Sequence, residues 1–407
     1  MLLKKSKIKA FSRLQITGSK SESNRALLLQ ALYNGLTIQN LSNSDDSKLM
    51  KNALSSKATN IDIHHAGTAM RFLTAYFAVN MGKTTILTGS ERMQQRPIKI
   101  LVDALNSLGA DIGYIKNEGY PPLLIKGRQL SKKIVYLKSD ISSQYISALL
   151  LIAPSLKNGL ELHLEGKITS LPYIKMTLAL LDEMGVETKF EGNVIRVLPL
   201  SNQVSKIFTV ESDWSSASYY YSILALSPVG TQIDLSDYKS ESLQGDAVLR
   251  NIYKKLGVES SFSGTTLSLK KVQRPLPACL ALDLSDAPDI AQTIVVSCLG
   301  LEIDCDLTGL HTLKIKETDR LLALKNEIKK LGTELKITDN SLHLNNVASL
   351  NCNVHIATYN DHRMAMAFAP LALRASLYIE NAEVVSKSCL LYTSPSPRDV
   401  EECRIPS

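Results

Sequence analysis

The sequence feature that most constrains the fold is an amphipathic helix pattern that ends at a glycine and recurs four times along the chain. In each copy an apolar residue precedes the glycine and a short strand-like stretch follows it. The glycines Gly109, Gly185, Gly257 and Gly332 lie 76, 72 and 75 residues apart. Glycine suits the position after a helix because it adopts a left-handed backbone conformation at little cost. The pattern predicts a repeated unit of about 75 residues, longer than ordinary solenoid repeats.

A second helix pattern alternates with the first and begins with small or polar residues. Its predicted starts are Ser23, Gly67, Ser142, Ser215, Asp289 and Asp361. From Gly67 onward these starts lie 75, 73, 74 and 72 residues apart, but the first interval is only 44. We therefore expect about six units of strands plus two helices, with the first unit shortened by about 30 residues.

Cationic side chains are concentrated near these helix starts and in short polar loops. The helix dipole disfavours cations in a first turn, so their recurrence there calls for an explanation. The set is Lys20, Arg25, Arg71, Arg96, Lys316, Arg320 and Arg363. A single such residue is most often an exposed or ion-paired surface group, and Ser44 and Ser215 are plausible N-caps. Taken together, the cations favour a small ligand with more than one phosphate or carboxylate.

Carboxylates are interspersed with these cations at Asp289, Glu317, Asp319 and Asp361. Glu317 and Arg320 are spaced to form an ordinary ion pair on one helix. The same carboxylates are also candidates for general acid–base catalysis. The residues alone leave both interpretations open.

Composition excludes several function classes. The 407 residues carry a net charge of +7 without Lys/Arg runs, which argues against a nucleic-acid-binding tail. Neither a Walker loop nor a dinucleotide fingerprint accompanies the cations, so nucleotide binding is disfavoured. Six cysteines without a CxxC pair, and no membrane-length apolar run, predict a cytoplasmic protein without a structural metal. Residues 389–407 lack helical or strand periodicity, and part of them resembles a translated sequencing adapter, so we expect a non-native tail.

An ordered set of motifs between Ile8 and Ser388 resembles the 5-enolpyruvylshikimate-3-phosphate (EPSP) synthase family. The motifs are G-S-K-S-x-S-N-R-A-L-L-L, A-G-T-A-M-R, R-P-I, S-S-Q, S-x-P-Y, K-E-T-D-R-L and Y-N-D-H-R-M-A-M. The resemblance implies an α/β fold with two lobes, each an inside-out, barrel-like set of three βαβαββ repeats, the first repeat being shortened. It implies lobes at 18–210, on the shikimate 3-phosphate side, and at 1–17 plus 211–388, on the phosphoenolpyruvate side.

The activity implied by the resemblance is transfer of the enolpyruvyl group of phosphoenolpyruvate to the 5-hydroxyl of shikimate 3-phosphate. Phosphate is released through a tetrahedral ketal-phosphate, in the pathway to chorismate and the aromatic amino acids. The family requires neither a metal nor an organic cofactor. The resemblance also implies a monomer that binds small molecules, without a nucleic-acid or membrane partner.

Site residues are carried over from the family motif by motif. The implied shikimate 3-phosphate contacts are Lys20, Ser21, Arg25, Ser142, Ser143, Gln144, Ser170, Tyr173, Asp289, Thr312 and Lys316. The implied phosphoenolpyruvate contacts are Lys20, Gly67, Arg96, Gln144, Arg320, Arg363 and Lys387. Asp289 is the implied base on the 5-hydroxyl, Glu317 the proton relay at the enol methylene, and Lys20 an assisting group.

The chain departs from the family pattern at three positions, which are Thr17, His65 and Thr312 in place of the usual Pro, Asn and Asn. One alternative is the sister enolpyruvyl transferase that acts on UDP-N-acetylglucosamine and uses a loop cysteine. This chain has no cysteine before Cys279, which disfavours that alternative. Another is a non-catalytic anion-binding protein, which would need neither Asp289 nor Glu317.

Overall fold

The computed structural model describes residues 1–138, 142–166, 168, 171–200, 205–345 and 349–387. Ser170 and the expected tail at 389–407 lie outside these ranges, so the predictions that concern them are not addressed by the structure. Lys387 ends the last described helical turn, and its side chain is likewise outside the description.

Helices and strands alternate along the described chain. The α-helices are α1 (Lys20–Leu32), α2 (Asp45–Ser55), α3 (Gly67–Val79), α4 (Glu91–Gln94), α5 (Lys99–Ser107), α6 (Ser143–Ile152), α7 (Leu171–Glu183), α8 (Trp214–Ala225), α9 (Leu249–Lys255), α10 (Ala291–Leu301), α11 (Arg320–Lys330) and α12 (His362–Phe368). Short 3₁₀ turns occur at Ala153–Ser155, Gly245–Val248, Pro288–Ile290, His311–Ile315, Ala369–Leu373 and Ala382–Lys387. Within the described ranges, no helix is long and apolar enough to cross a membrane.

The strands are mostly short. They are β1 (Leu2–Leu3), β2 (Phe11–Leu14), β3 (Leu36–Gln39), β4 (Asn60–Asp62), β5 (Thr84–Thr88), β6 (Asp111–Tyr114), β7 (Leu123–Lys126), β8 (Ile134–Lys138), β9 (Leu160–Glu165), β10 (Thr188–Glu191), β11 (Val194–Val197), β12 (Lys206–Thr209), β13 (Gln232–Leu235), β14 (Val258–Ser263), β15 (Thr266–Lys271), β16 (Cys279–Asp283), β17 (Asp304–Thr308), β18 (Leu335–Ile337), β19 (Leu342–Leu344), β20 (Val354–Ile356) and β21 (Leu377–Ile379).

The chain divides into two compact units. One is Gly18–Val210, and the other joins Met1–Thr17 to the chain from Glu211 onward. Each unit has its own apolar core, and its sheets belong to it alone. The fold is mixed α/β, and the sheets of the described residues are open, with no barrel among them.

Four of the sheets share one strand arrangement, in which a parallel pair continues into two antiparallel neighbours. Their orders are β4-β5-β7-β6, β8-β9-β11-β10, β2-β13-β15-β14 and β16-β17-β19-β18. A helix precedes the second strand of each parallel pair, because parallel neighbours require a long crossover. The remaining sheets pair β12 with β3, and β1 with β21 and β20.

The four glycines at the helix ends confirm the prediction of left-handed C′ residues. Their φ angles are +107° at Gly109, +86° at Gly185, +81° at Gly257 and +98° at Gly332. They follow α5, α7, α9 and α11, respectively. The repeated sequence pattern therefore marks a real, repeated helix termination.

The second helix type forms the interior of each unit. Helices α1, α3 and α6 pack against one another in one unit, and α8, α10 and α12 do so in the other. These helices are buried on nearly all sides, which explains why the sequences of α6 and α10 are almost continuously apolar. This packing brings three helix N-termini of one unit into contact through the side chains described below.

Three predicted helix starts were wrong. Asp289 lies in the 3₁₀ turn Pro288–Ile290, and α10 begins only at Ala291. Helix α1 begins at Lys20, three residues before Ser23, because the Ser23 amide already donates to the Ser19 carbonyl at 2.9 Å. The Ser23 hydroxyl accepts from the Ser42 amide (2.9 Å) and caps no helix. Helix α8 is capped by Asp213, whose carboxylate accepts from the Ser215 amide at 3.0 Å. The Ser215 hydroxyl is therefore not the cap. Gly67 begins α3, and Asp361 caps α12, as predicted.

Candidate active site

In the Gly18–Val210 unit, the site begins where the chain enters α1. A Cβ atom on Gly18 would lie 2.0 Å from the Asn40 carbonyl oxygen and 2.7 Å from the Val210 side chain, so only glycine fits there. Ser19 follows as the N-cap residue and makes no side-chain capping bond. The first turn of α1 then presents Lys20 and Ser21, both partly exposed.

Arg25 is buried one turn further along α1, with 2 % of its surface exposed. Its guanidinium donates to Thr177 Oγ1 at 2.8 Å, Ser147 Oγ at 2.9 Å and the Ser21 carbonyl at 2.7 Å. It also donates to the Tyr173 carbonyl at 3.3 Å. Burial lowers the pKa of Arg25 to about 10. Since these acceptors are uncharged, Arg25 adds positive potential beside the helix N-terminus while tying α1 to α6 and α7.

Lys20 contacts a carboxylate that the sequence analysis missed. Its Nζ lies 3.6 Å from Asp46 Oδ2, and Asp46 Oδ1 lies 3.8 Å from His65 Nε2. Asp46 is buried in the first turn of α2. Ser44 is the N-cap residue of α2, as predicted, but makes no side-chain capping bond there. The sequence signal that could have identified Asp46 was the presence of two successive acidic residues at a helix start.

Gly67 and Arg96 are adjacent, as the implied phosphoenolpyruvate contacts require. A Cβ atom on Gly67 would lie 2.4 Å from Arg96 Nη1, so the guanidinium packs directly on the glycine. Arg71 links the segments that carry these two residues, because it donates to the Gly67 carbonyl at 3.1 Å and to the Pro97 carbonyl at 3.0 Å. Burial, together with the neighbouring Arg96 cation, lowers the pKa of Arg71 to about 10.

The S-S-Q motif lies at the N-terminus of α6. Ser142 is the cap residue, and its hydroxyl accepts from the Gln144 amide at 3.4 Å. The Gln144 side chain donates to Thr68 Oγ1 at 3.2 Å, which links the starts of α6 and α3. Ser143 is buried behind them. Within this unit the structure therefore brings the predicted residues of α1, α3 and α6 to neighbouring helix starts.

In the second unit, one buried guanidinium gathers three carboxylates. Arg320 opens α11 and donates to Asp361 Oδ2 at 2.7 Å, Asp289 Oδ1 at 2.8 Å and Glu317 Oε2 at 2.8 Å. The Arg320 side chain is 2 % exposed and that of Asp361 is fully buried. Burial disfavours the charge, but Asp361, Glu317 and Asp289 outweigh burial and raise the pKa of Arg320 above its ordinary value.

Asp289 is the carboxylate on which the cations of this unit meet. Besides Arg320, Lys316 Nζ lies 3.4 Å from its Oδ1 and Arg363 Nη2 lies 3.6 Å from its Oδ2. Arg363 also donates to the Asp289 carbonyl at 3.0 Å. Asp289, Lys316 and Glu317 keep about a sixth to a quarter of their side-chain surface exposed (17 %, 27 % and 27 %). Asp289 and Glu317 are thus a pair of partly exposed carboxylates held by cationic side chains. Such a pair suits proton transfer to an anionic ligand.

Thr312, another predicted contact residue of this unit, has fewer described contacts. Thr312 belongs to the 3₁₀ turn His311–Ile315, and its buried hydroxyl has no hydrogen-bond partner among the described residues. The Glu317–Arg320 ion pair of the simpler interpretation is present. That pair is compatible with a catalytic Glu317, whose acid–base role stays a prediction.

A model of the EPSP synthase family, described as 3-phosphoshikimate 1-carboxyvinyltransferase, matches residues 55–393 of the chain. The chain belongs to the EPSP synthase family. A 3-phosphoshikimate 1-carboxyvinyltransferase of Bacteroides fragilis is 49 % identical over 393 residues, which cover 94 % of this chain and 93 % of that protein. Its counterpart in Mannheimia haemolytica is 34 % identical, with 94 % of each chain covered.

Solved structures of this family share the fold. An EPSP synthase from Acinetobacter baumannii superposes with a TM-score of 0.78 over 95 % of both chains, at 19 % sequence identity. A second structure of EPSP synthase from the same organism gives a TM-score of 0.77. The predicted α/β class and family membership are thereby confirmed.

Proposed function

We propose that the two residue clusters described above serve the EPSP synthase reaction, with roles as follows. The chain is a 3-phosphoshikimate 1-carboxyvinyltransferase and transfers the enolpyruvyl group of phosphoenolpyruvate to shikimate 3-phosphate in aromatic amino-acid biosynthesis. One observation carries the assignment of roles. Arg320 holds both candidate proton-transfer groups, Asp289 and Glu317, on a single buried guanidinium.

Asp289 takes the proton of the 5-hydroxyl as that oxygen forms a bond to C2 of phosphoenolpyruvate. Glu317 donates a proton to the methylene carbon, which becomes a methyl group, and Lys20 assists. The product of this addition is a tetrahedral ketal-phosphate. In the second half of the reaction, a methyl proton returns to Glu317 as phosphate leaves C2, which restores the double bond. The proton held by Asp289 passes to the departing phosphate, so that both carboxylates return to their initial states.

The binding roles follow the charges of the two substrates, each of which carries a phosphate and a carboxylate. We assign shikimate 3-phosphate to Lys20, Ser21, Arg25, Ser142, Ser143, Gln144, Ser170, Tyr173, Asp289, Thr312 and Lys316. We assign phosphoenolpyruvate to Lys20, Gly67, Arg96, Gln144, Arg320, Arg363 and Lys387. The contacts of Arg25 and Arg96 with helix starts support these roles, since both place positive charge where backbone N–H groups already favour anions.

We also assign the two units to the lobes expected from the resemblance. In this assignment 18–210 is the shikimate 3-phosphate side, and 1–17 plus 211–388 is the phosphoenolpyruvate side. Each lobe consists of three βαβαββ repeats in an inside-out, barrel-like arrangement, with the first repeat shortened. The common order of the four larger sheets supports this assignment, and the smaller sheets would belong to the other two repeats.

The protein is further proposed to act as a monomer in the cytoplasm. Its cysteines at 279, 298, 305 and 352 carry free thiols, which a reducing compartment preserves. Light scattering at a single-chain mass of 44.7 kDa would support the monomer, and a multiple of that mass would contradict it.

The roles of Asp289 and Glu317 are tested by exchange of solvent deuterium into the methylene of phosphoenolpyruvate in the presence of shikimate 3-phosphate. Exchange requires addition to be reversible, so Asp289→Asn and Glu317→Gln should both abolish it. Asp286→Asn, the same substitution at an exposed position three residues away, should leave it intact. Wild-type exchange and turnover in Asp289→Asn would reject the assigned base and favour a different site.

A further inference from the structure

Asp246 carries a buried carboxyl group that lies near Arg363. The roles assigned so far do not use this group. Asp246, in the 3₁₀ turn Gly245–Val248, is only 4 % exposed. Its Oδ2 accepts a hydrogen bond from the Ser215 hydroxyl at 2.5 Å. Its Oδ1 is buried and has no hydrogen-bond partner within the described residues. Leaving a carboxylate oxygen in this state is costly, so the group calls for an explanation.

Ser215 connects this carboxyl group to the site. Its single hydroxyl proton is directed to Asp246, so only the lone pairs of its oxygen can face a second group. Arg363 Nη2 donates to that oxygen at 3.3 Å, and Arg363 Nη1 donates to the Asp289 carbonyl at 3.0 Å. The chain of contacts from Asp246 through Ser215 thus determines where the guanidinium lies.

We propose that Asp246 is a positioning residue for Arg363, acting through Ser215, and that its ionised form is needed for tight binding of phosphoenolpyruvate. The proposal rests on the assignment of Arg363 to phosphoenolpyruvate made above. Ionised Asp246 orients the Ser215 hydroxyl and adds a negative charge behind the guanidinium. The protonated acid would donate its own proton, so Ser215 would no longer be held as an acceptor for Arg363.

The charged groups around Asp246 decide when it ionises. Burial raises its pKa to about 6, Arg363 opposes that rise, and Asp289 and Asp213 add to it. From the adjacent α9, Arg250 donates to the Ser240 carbonyl and lies over the Trp214 ring. Since the folded pKa is raised, Asp246 is charged above about pH 6 and becomes protonated as the pH falls through that value. Affinity for phosphoenolpyruvate should fall in the same range.

The test measures KM for each substrate and kcat between pH 5 and pH 8 with the full chain. Asp246→Asn should raise KM for phosphoenolpyruvate about tenfold at pH 7.5, with KM for shikimate 3-phosphate nearly unchanged. Below about pH 6, KM for phosphoenolpyruvate should rise more steeply in the wild type than in this variant, because both share the protonation of the substrate phosphate but only the wild type protonates Asp246. Ser215→Ala should behave in the same way, and the double variant should be no worse than either single one.

Ser216→Ala is the matched control, because the neighbouring hydroxyl contacts Asp213 and not Arg363. It should keep the wild-type KM values and their pH profile. An Asp246→Asn variant with wild-type KM and an unchanged pH profile would overturn the inference. If Asp246→Asn does not fold, a wild-type profile in Ser215→Ala would overturn it equally. A folded wild type without any turnover would instead reject the proposed function.

Discussion

Arg320 shows how much of the site depends on one residue. Three carboxylates share its guanidinium, and Asp361 is fully buried. Arg320→Met should lower the free energy of unfolding by about 3–5 kcal/mol, because it leaves buried negative charge uncompensated. Denaturant titration measures this change. Arg274→Met, at an exposed position of the same unit, should change stability by less than about 0.5 kcal/mol. Equal effects of the two substitutions would contradict the role given to Arg320.

Gly67 tests the contact with Arg96 at the scale of one methyl group. Its Cβ would lie 2.4 Å from Arg96 Nη1, so Gly67→Ala should displace the guanidinium without unfolding the helix. We expect KM for phosphoenolpyruvate to rise about fivefold or more, with a smaller change in KM for shikimate 3-phosphate. Gly113→Ala, where an added Cβ meets nothing within 4 Å, is the control. Wild-type kinetics in Gly67→Ala would contradict the claim that binding of phosphoenolpyruvate depends on the position of the Arg96 guanidinium.

Contacts between residues close together in the sequence could be predicted, whereas several contacts between distant residues could not. Arg320 and Glu317 are three residues apart, so their ion pair could be inferred from helix geometry. Asp46 and Asp246 reach Lys20 and Ser215 from 26 and 31 residues away, and local periodicity carries no information about such contacts. The carboxylates Asp289, Glu317 and Asp361 around Arg320 were apparent from the sequence, whereas Asp46 and Asp246 were not.

At the scale of elements, Arg25 ties α1 to its neighbours and offers a prediction about stability. Thr177 Oγ1 accepts from Arg25 Nε and is itself 3.0 Å from Ser147 Oγ. Thr177→Val should lower the free energy of unfolding by about 1–3 kcal/mol, because a buried charged donor loses its acceptor. Thr74→Val is the matched control, since that buried hydroxyl donates only to the Met70 carbonyl of its own helix. A control as damaging as Thr177→Val would contradict the argument.

Strand β15 carries a buried lysine whose titration should be visible in stability. Burial lowers the pKa of Lys271 to about 8 from 10.5. Between these values the unfolded chain binds the proton and the folded chain does not, so this group makes stability rise with pH. Lys271→Met should abolish that rise when the free energy of unfolding is compared at pH 7.5 and pH 10. The exposed neighbour gives the control, Lys270→Met, which should keep the wild-type dependence.

The C-terminal ends of four helices were predictable, whereas several helix starts and the strand partners were not. The C′ glycines could be located because a left-handed residue after a helix has a local sequence signature. Helix α1 begins three residues earlier than predicted, since Ser23 lies inside the helix and its hydroxyl bonds to a loop 19 residues away. Strand β13 pairs with β2, which lies more than 200 residues earlier, and the spacing of the repeats does not specify such a pair.

At the scale of the whole molecule, the longest-range feature is that the first two strands pair with strands from the second half of the chain. Strands β1 and β2 join sheets whose other strands follow Glu211, so one unit needs both ends of the described chain. The lobe boundaries stay a prediction from the family resemblance, whereas periodicity alone predicted only about six repeated units of strands and helices.

The most direct test of the account is the release of phosphate by the folded, full-length protein. With shikimate 3-phosphate and phosphoenolpyruvate together, one phosphate should appear for each phosphoenolpyruvate consumed, and none with either substrate alone. Phosphate released from phosphoenolpyruvate alone, or only when UDP-N-acetylglucosamine replaces shikimate 3-phosphate, would contradict the account.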